Sequence, residues 1–239
     1  MDLPIGTSYE EICEKFAWDI PTHFNIADAV CDRWAEDTRR IAMTHESLDG
    51  SICEYSFAQI KAYSNQLANL FGELGLQSGD RVLVMLTQSP ECAISHIGCF
   101  KAGIVSCLAS VLFGPDAIKH RLLGSSAKVC ITNRANLGKI TEVMDQCPSL
   151  EHIIVTDENA PNQALSFWKA LQEQSTSFIN KATRAEDTAW ISYTSGTTGD
   201  PKGVMLDYRN IASMVRQHDT LLPFTPGDVS LAFLPLSHV

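Results

Sequence analysis

The chain has 239 residues, 45% of them apolar and 19% charged, the balance of a globular protein able to bury a sizeable core. Its 18 basic and 28 acidic residues give a formal net charge of −10, and the basic residues are scattered along the sequence. This distribution disfavours a nucleic-acid partner, because a phosphate backbone requires a clustered basic surface.

The cysteines and histidines show no metal-binding or disulfide pattern. Eight cysteines include no C-x-x-C pair and seven histidines no H-E-x-x-H, so core thiols in a reducing compartment are expected. The first residues are acidic, which argues against a signal peptide. The most apolar stretch, 104–113, is about half as long as a membrane span. We therefore expect a cytoplasmic protein without a membrane span; its oligomeric state is not predicted.

The first part of the chain, residues 1–79, is predicted to be an opening region of helices and one hairpin. Residues 8–35 show the caps and apolar spacing of two helices. Asp49-Gly50 lies between two short strand-like runs and predicts a hairpin turn. Ser56, with a glutamine three residues later, predicts the start of a long helix that ends at Gly75.

From residue 80 onward, short apolar strands alternate with helical patterns. Strands are predicted at 81–86, 104–109, 128–132, 152–156, 188–193 and 229–233. Helices are predicted at 90–101, 116–124, 137–147, 166–174 and 209–221. Such alternation predicts an α/β fold with mostly parallel sheets flanked by helices, and ligands at the carboxyl ends of the strands. We expect a β/α sheet subdomain over 80–187, and a further, incomplete sheet over 188–239.

The most informative motif is Tyr-Thr-Ser-Gly-Thr-Thr-Gly-Asp-Pro-Lys-Gly-Val at residues 193–204. Its glycines allow backbone N–H groups to approach an anion, its hydroxyls donate hydrogen bonds, and its lysine supplies a positive charge. The motif follows a predicted strand, as expected of a polyphosphate-binding loop. It is not a Walker A loop, because Asp200 and Pro201 separate Gly199 from Lys202.

The motif resembles the phosphate-binding loop of the adenylate-forming, or AMP-binding, superfamily, which includes acyl-CoA synthetases. Other stretches are similar to family segments: 56–60, 79–82, 101–103 and 234–239. Residues 112–117 and His120-Arg121-Leu122 are most similar to medium-chain acyl-CoA synthetases, and the ending with His238 to long-chain enzymes. The resemblance implies the large N-terminal domain of an acetyl-CoA synthetase-like fold. Because family members are longer, the chain is expected to be a truncated N-terminal portion that lacks the C-terminal domain.

The resemblance also implies a reaction. A carboxylic acid, here a fatty acid, would attack the α-phosphate of ATP to give acyl-adenylate and pyrophosphate, and the thiol of CoA would then take the acyl group. ATP, Mg²⁺ and CoA are thus implied, with the Mg²⁺ ligands outside this sequence. The 239 residues alone are expected to be inactive.

The family's loop residues match this sequence one by one. The residues implied to bind the β- and γ-phosphates of ATP are Thr194, Ser195, Gly196, Thr197, Thr198, Gly199 and Lys202. His238 matches a position near the acyl carboxylate and is the candidate catalytic residue. Ser237 and Asp207-Tyr208 depart from the family pattern. We expect Asp207 to cap the following helix rather than to point at the phosphates.

Two alternatives remain open at this stage. A related adenylating enzyme could pass the acyl group to a carrier protein or another acceptor. A non-enzymatic truncated product could bind a nucleotide or a partner.

Overall fold

The computed structural model describes residues 6, 8–161, 163–194, 199–221, 225 and 227–232. Within them, eight α-helices are found: α1 (Tyr9–Lys15), α2 (Ile26–Val30), α3 (Phe57–Glu73), α4 (Pro90–Ala102), α5 (Pro115–Ser125), α6 (Arg134–Thr141), α7 (Phe167–Gln172) and α8 (Tyr208–Leu221). Short 3-10 helices lie at Asp32–Trp34 and Met144–Gln146.

The same residues form nine strands: β1 (Ile41–Glu46), β2 (Ile52–Ser56), β3 (Arg81–Val84), β4 (Val105–Leu108), β5 (Val129–Thr132), β6 (His152–Val155), β7 (Leu165–Ser166), β8 (Thr188–Thr194) and β9 (Lys202–Asp207). Strands β1 and β2 pair as the expected antiparallel hairpin. The others form a seven-stranded sheet in the order β7-β6-β5-β3-β4-β8-β9. All its pairings are parallel except that of β8 with β9. The predicted α/β fold with a mostly parallel sheet is confirmed.

Local sequence signals explain where the main helices begin and end. At the start of α3, the Ser56 hydroxyl accepts a hydrogen bond from the backbone N–H of Gln59, and the Gln59 side chain accepts one from the backbone N–H of Ser56. This is the predicted capping box. Helix α4 follows the N-cap Ser89 and ends at Gly103, whose φ of 67° suits a residue without Cβ.

The central sheet is covered by helices on both faces, as the strand–helix alternation predicts. Strand β3 shows this directly, because its side chains alternate between two apolar cores. Val82 and Val84 pack in the core shared with α3, α4 and α7. Leu83 and the following Met85 pack in the core shared with α5 and α6. All four side chains are buried.

Two sequence predictions about this sheet are wrong, and one of its strands was not predicted. Strands β8 and β9 do not begin a further sheet: β8 pairs in parallel with β4, through Ser106↔Trp190 and Cys107↔Ile191, and extends the same one. Strand β9 was not predicted, because its apolar run is only 204–206 and shows no alternation. Residues 229–232 of the predicted last strand have no regular structure.

The expectation of core thiols is confirmed for six of the eight cysteines, which are buried; Cys13 and Cys53 are exposed. Burial raises the pKa of Cys92 and Cys130 to about 12, so these thiols stay protonated and behave as small apolar groups. Among the described residues, none of the helices combines the length and apolarity required to cross a bilayer.

Candidate phosphate-binding site

The predicted phosphate loop connects two antiparallel strands at the carboxyl end of β8. Thr194, the last residue of β8, pairs with Lys202, the first residue of β9, and Tyr193 pairs with Gly203. Because β8 runs parallel to β3, β4, β5 and β6, the loop emerges at the edge where all these strands end. Parallel α/β sheets bind their ligands at this edge.

The described part of the loop presents its polar groups to solvent. Thr194 and Lys202 are exposed and lie opposite each other across the hairpin. In the part of the chain that the structure describes, no carboxylate forms an ion pair with Lys202. A hydroxyl and an uncompensated ammonium group at the mouth of a loop can both donate to an anion.

Gly199 has a backbone conformation that requires glycine. Its φ is +119°, a value that residues with a side chain rarely adopt. The glycine therefore allows the chain to turn back towards Lys202 at this position.

Helix α5 contacts both arms of the loop. His120 Nε2 lies 2.7 Å from the backbone oxygen of Pro201, the residue just before β9. The Tyr193 hydroxyl lies 3.3 Å from the backbone oxygen of Arg121 and donates to it. The His120 and Tyr193 rings meet edge to face, with centroids 5.8 Å apart. His120 and Arg121 belong to the stretch that resembles medium-chain acyl-CoA synthetases, but no sequence pattern predicts these contacts.

Arg121 is a buried cation that packs against two aromatic rings. Only 4% of the residue is exposed, and its guanidinium carbon lies 3.8 Å from the Phe113 ring centroid and 5.1 Å from that of Tyr193. One nitrogen donates to the backbone oxygen of Ala117 at 2.8 Å, while Nε has no hydrogen-bond partner among the described residues. Burial lowers the pKa of Arg121. Among the described residues, no carboxylate forms an ion pair with it.

Asp207 and Tyr208, which depart from the family pattern, both have structural roles, and the predicted capping role of Asp207 is confirmed. The Asp207 carboxylate accepts from the backbone N–H of Asn210 at 2.6 Å, and the Asn210 side chain accepts from the backbone N–H of Asp207 at 3.1 Å. This reciprocal cap holds the carboxylate at the start of α8. Tyr208 is fully buried, and its hydroxyl donates to the backbone oxygen of Phe100.

Ser237, which departs from the family pattern, lies outside the described residues, as do five predicted site residues: Ser195, Gly196, Thr197, Thr198 and His238. Their roles stay predictions. The described residues also bring together no group of three or more His, Cys, Asp or Glu side chains that could hold a metal ion, and we assign no Mg²⁺ ligand to them.

Comparison with known proteins agrees with the fold and identifies the family. The family described as AMP-binding enzyme matches residues 31–239, and the chain belongs to this family. It is 29% identical over 233 residues to 4-coumarate–CoA ligase 4 of Arabidopsis thaliana, covering 92% of this chain and 40% of that protein. It is 31% identical over 200 residues to the mitochondrial acyl-coenzyme A synthetase ACSM2B of Homo sapiens, covering 81% of this chain and 35% of that protein.

Comparison with solved structures finds the same fold in a related protein. ATP-bound MatB from Rhodopseudomonas palustris aligns with a TM-score of 0.74 and 25% identity, covering 90% of this chain and 41% of that one. The chain thus spans roughly two fifths or less of the length of these relatives. The resemblance to the adenylate-forming superfamily is confirmed, and these relatives include CoA ligases acting, by name, on both coumarate and general acyl groups.

Proposed function

We propose that this protein functions in the ATP-dependent, AMP-forming ligation of a carboxylic acid to CoA. The acid carboxylate attacks the α-phosphate of ATP, pyrophosphate leaves, and the thiol of CoA then displaces AMP from the acyl-adenylate. The observation that supports this proposal best is the hairpin loop itself. It presents Thr194 and Lys202 opposite each other at the carboxyl edge of the sheet, within a chain that matches the AMP-binding enzyme family.

The physical demand of the first step fits these residues. Two anions must approach each other while negative charge moves onto the leaving pyrophosphate. Preorganised N–H, hydroxyl and ammonium donors stabilise that charge. We assign the β- and γ-phosphates to the loop from Thr194 to Lys202, and the acyl carboxylate to the neighbourhood of His238.

The acid is proposed to be a fatty acid, since one relative is an acyl-CoA synthetase; an aromatic acid is the rival, since another is a 4-coumarate–CoA ligase. Non-hydrolysable acyl-adenylate analogues separate the two possibilities by the shift in melting temperature that each causes. The hexanoyl analogue is expected to stabilise the chain more than the coumaroyl analogue. A cytoplasmic location is proposed because all eight cysteines are free thiols.

The loop assignment is tested by calorimetric titration of the purified chain with Mg²⁺-tripolyphosphate, which requires no nucleoside site. Lys202→Ala is expected to weaken binding roughly tenfold or more, because a charge-assisted hydrogen bond is lost. The matched control is Lys169→Ala, an exposed lysine on α7 at the opposite edge of the sheet. Equal affinities of the two variants, or no binding by the wild type, would refute the assignment.

A further inference from the structure

Adjacent residues of helix α5 hold the two arms of the phosphate-loop hairpin. The outgoing arm is the end of β8, at Tyr193 and Thr194, and the returning arm is Pro201 with the start of β9. On the returning arm, the Pro201 carbonyl can only accept a hydrogen bond, so His120 Nε2 must carry the hydrogen at the observed 2.7 Å. Pro201 has no N–H of its own and immediately precedes Lys202. The bond therefore fixes the main chain where β9 and its lysine begin.

On the outgoing arm, Tyr193 is fitted into a slot on α5 and β9. A Cβ at Gly124 would lie 2.7 Å from the Tyr193 hydroxyl, and a Cβ at Gly203 would lie 3.3 Å from the ring carbon that bears it. The Arg121 guanidinium packs on the same ring from the side of α5. Tyr193 directly precedes Thr194, so this slot fixes the residue at which the loop begins.

Burying the charge of Arg121 destabilises the fold, and no carboxylate among the described residues compensates for it. Aromatic faces at Phe113 and Tyr193 and a single hydrogen bond to Ala117 compensate it only in part. A positive charge that has no carboxylate partner among the described residues, at the base of a loop that binds polyphosphate, would favour the bound anion. Such an electrostatic role gives a physical reason for an arginine at this position.

We propose that α5 positions the phosphate loop, with His120 and Arg121 as positioning residues that do not themselves touch the phosphates. His120 holds the returning arm through Pro201. Arg121 holds the outgoing arm through Tyr193 and adds positive potential behind the loop. This inference rests on the proposed function of the loop and names further residues that set its affinity.

The His120 contact is tested with a pair of variants. His120→Phe keeps a ring but has no donor, whereas His120→Gln keeps an N–H near the position of Nε2. His120→Phe is expected to bind Mg²⁺-tripolyphosphate roughly five- to tenfold more weakly, the worth of one hydrogen bond, and His120→Gln to restore most of the loss. Amide hydrogen exchange should show faster opening at 192–194 and 202–204 in the Phe variant only.

Arg121→Met tests the role of the arginine charge, because its expected effects on stability and on tripolyphosphate affinity differ. Methionine keeps an apolar stack on Phe113 and Tyr193 but removes the charge. The melting temperature is expected to be no lower than that of the wild type, while tripolyphosphate affinity falls roughly threefold. A purely structural arginine would lower stability and affinity together, so a parallel loss of both contradicts the proposal.

The outcomes separate this inference from the proposed function. The positioning role is overturned if His120→Phe leaves either the amide hydrogen exchange of the hairpin or the affinity for tripolyphosphate unchanged. The loop assignment still holds in that case, provided that the wild type binds tripolyphosphate. If the wild type does not bind tripolyphosphate at all, the proposed function of the loop fails, and the positioning role fails with it.

Discussion

The buried histidine of helix α4 is expected to make folding stability depend on pH. His96 Nδ1 lies 2.8 Å from the Ser106 hydroxyl, Nε2 lies 3.6 Å from the Cys92 sulfur, and the imidazole and Trp190 rings meet in a T-shaped contact. None of these groups carries a charge that would stabilise an imidazolium ion. Burial accordingly lowers the pKa of His96 from 6.5 to about 4.

The size and sign of the effect follow from that shift. Between pH 6.5 and about 4 the unfolded chain carries a proton on His96 that the folded chain does not, so the free energy of unfolding falls as the pH falls. The full loss is about 3 kcal/mol, since each pKa unit corresponds to about 1.4 kcal/mol. By pH 5 about 2 kcal/mol should already be lost.

Urea unfolding at pH 7.5 and pH 5.0, at constant ionic strength, measures this loss directly. His96→Gln has no titrating group at the site and should reduce the difference between the two pH values by about 2 kcal/mol. Gln217→Ala, at an exposed position on α8 without a titrating group, is the control and should keep the wild-type difference. A His96→Gln variant with the same pH dependence as the wild type would show that the reasoning is wrong.

Three further predictions concern packing, a buried ion pair and activity. Gly98→Ala should destabilise the fold by about 1–3 kcal/mol, because the added Cβ would lie 2.9 Å from Leu67 on α3. Gly72→Ala, whose added Cβ would have no atom within 4 Å, is the control and should be neutral or stabilising. The urea midpoints of the two variants measure the difference. Lys101→Met should cost about 3–5 kcal/mol, because the Lys101 ammonium lies 2.5 Å from the Asp32 carboxylate and its loss leaves a largely buried charge unpaired; a cost below about 1 kcal/mol would contradict this. The 239-residue chain alone should show no acid-dependent exchange of labelled pyrophosphate into ATP, because its relatives are more than twice as long; measurable exchange would disprove this.

The sequence predicted the sheet well where side-chain patterns are governed by burial. Strand β3 was predicted because a strand buried on both faces is a continuous apolar run, and α3 because its capping box and closing glycine are local signals. Strand β9 carries no such pattern: Met205 is exposed and the strand lies at the sheet edge. The further sheet was wrongly expected because β8 joins the main sheet through β4, whose paired residues lie 84 positions earlier in the chain, and no local pattern encodes that pairing.

For the candidate site, the sequence identified the residues of the loop but not those that hold it. The loop is recognisable because its glycines, hydroxyls and lysine are contiguous. His120 and Tyr193 are 73 positions apart, and each is an ordinary residue in its own element. Their meeting depends on how α5 crosses the sheet, which no local spacing encodes. The asparagine that completes the cap with Asp207 was also missed, although the capping role itself was predicted.

The Tyr193–Gly203 pair also determines how β9 can be aligned against β8. Side chains alternate between the two faces of a strand, so a shift of β9 by one residue would turn Lys202 to the opposite face of the sheet. Such a shift would also place Val204 or Lys202 opposite Tyr193 in place of Gly203, a position at which an added Cβ would lie within 3.4 Å of the ring. The tyrosine thus selects one alignment of the hairpin. Loops of other lengths between these strands must preserve that alignment to present the lysine.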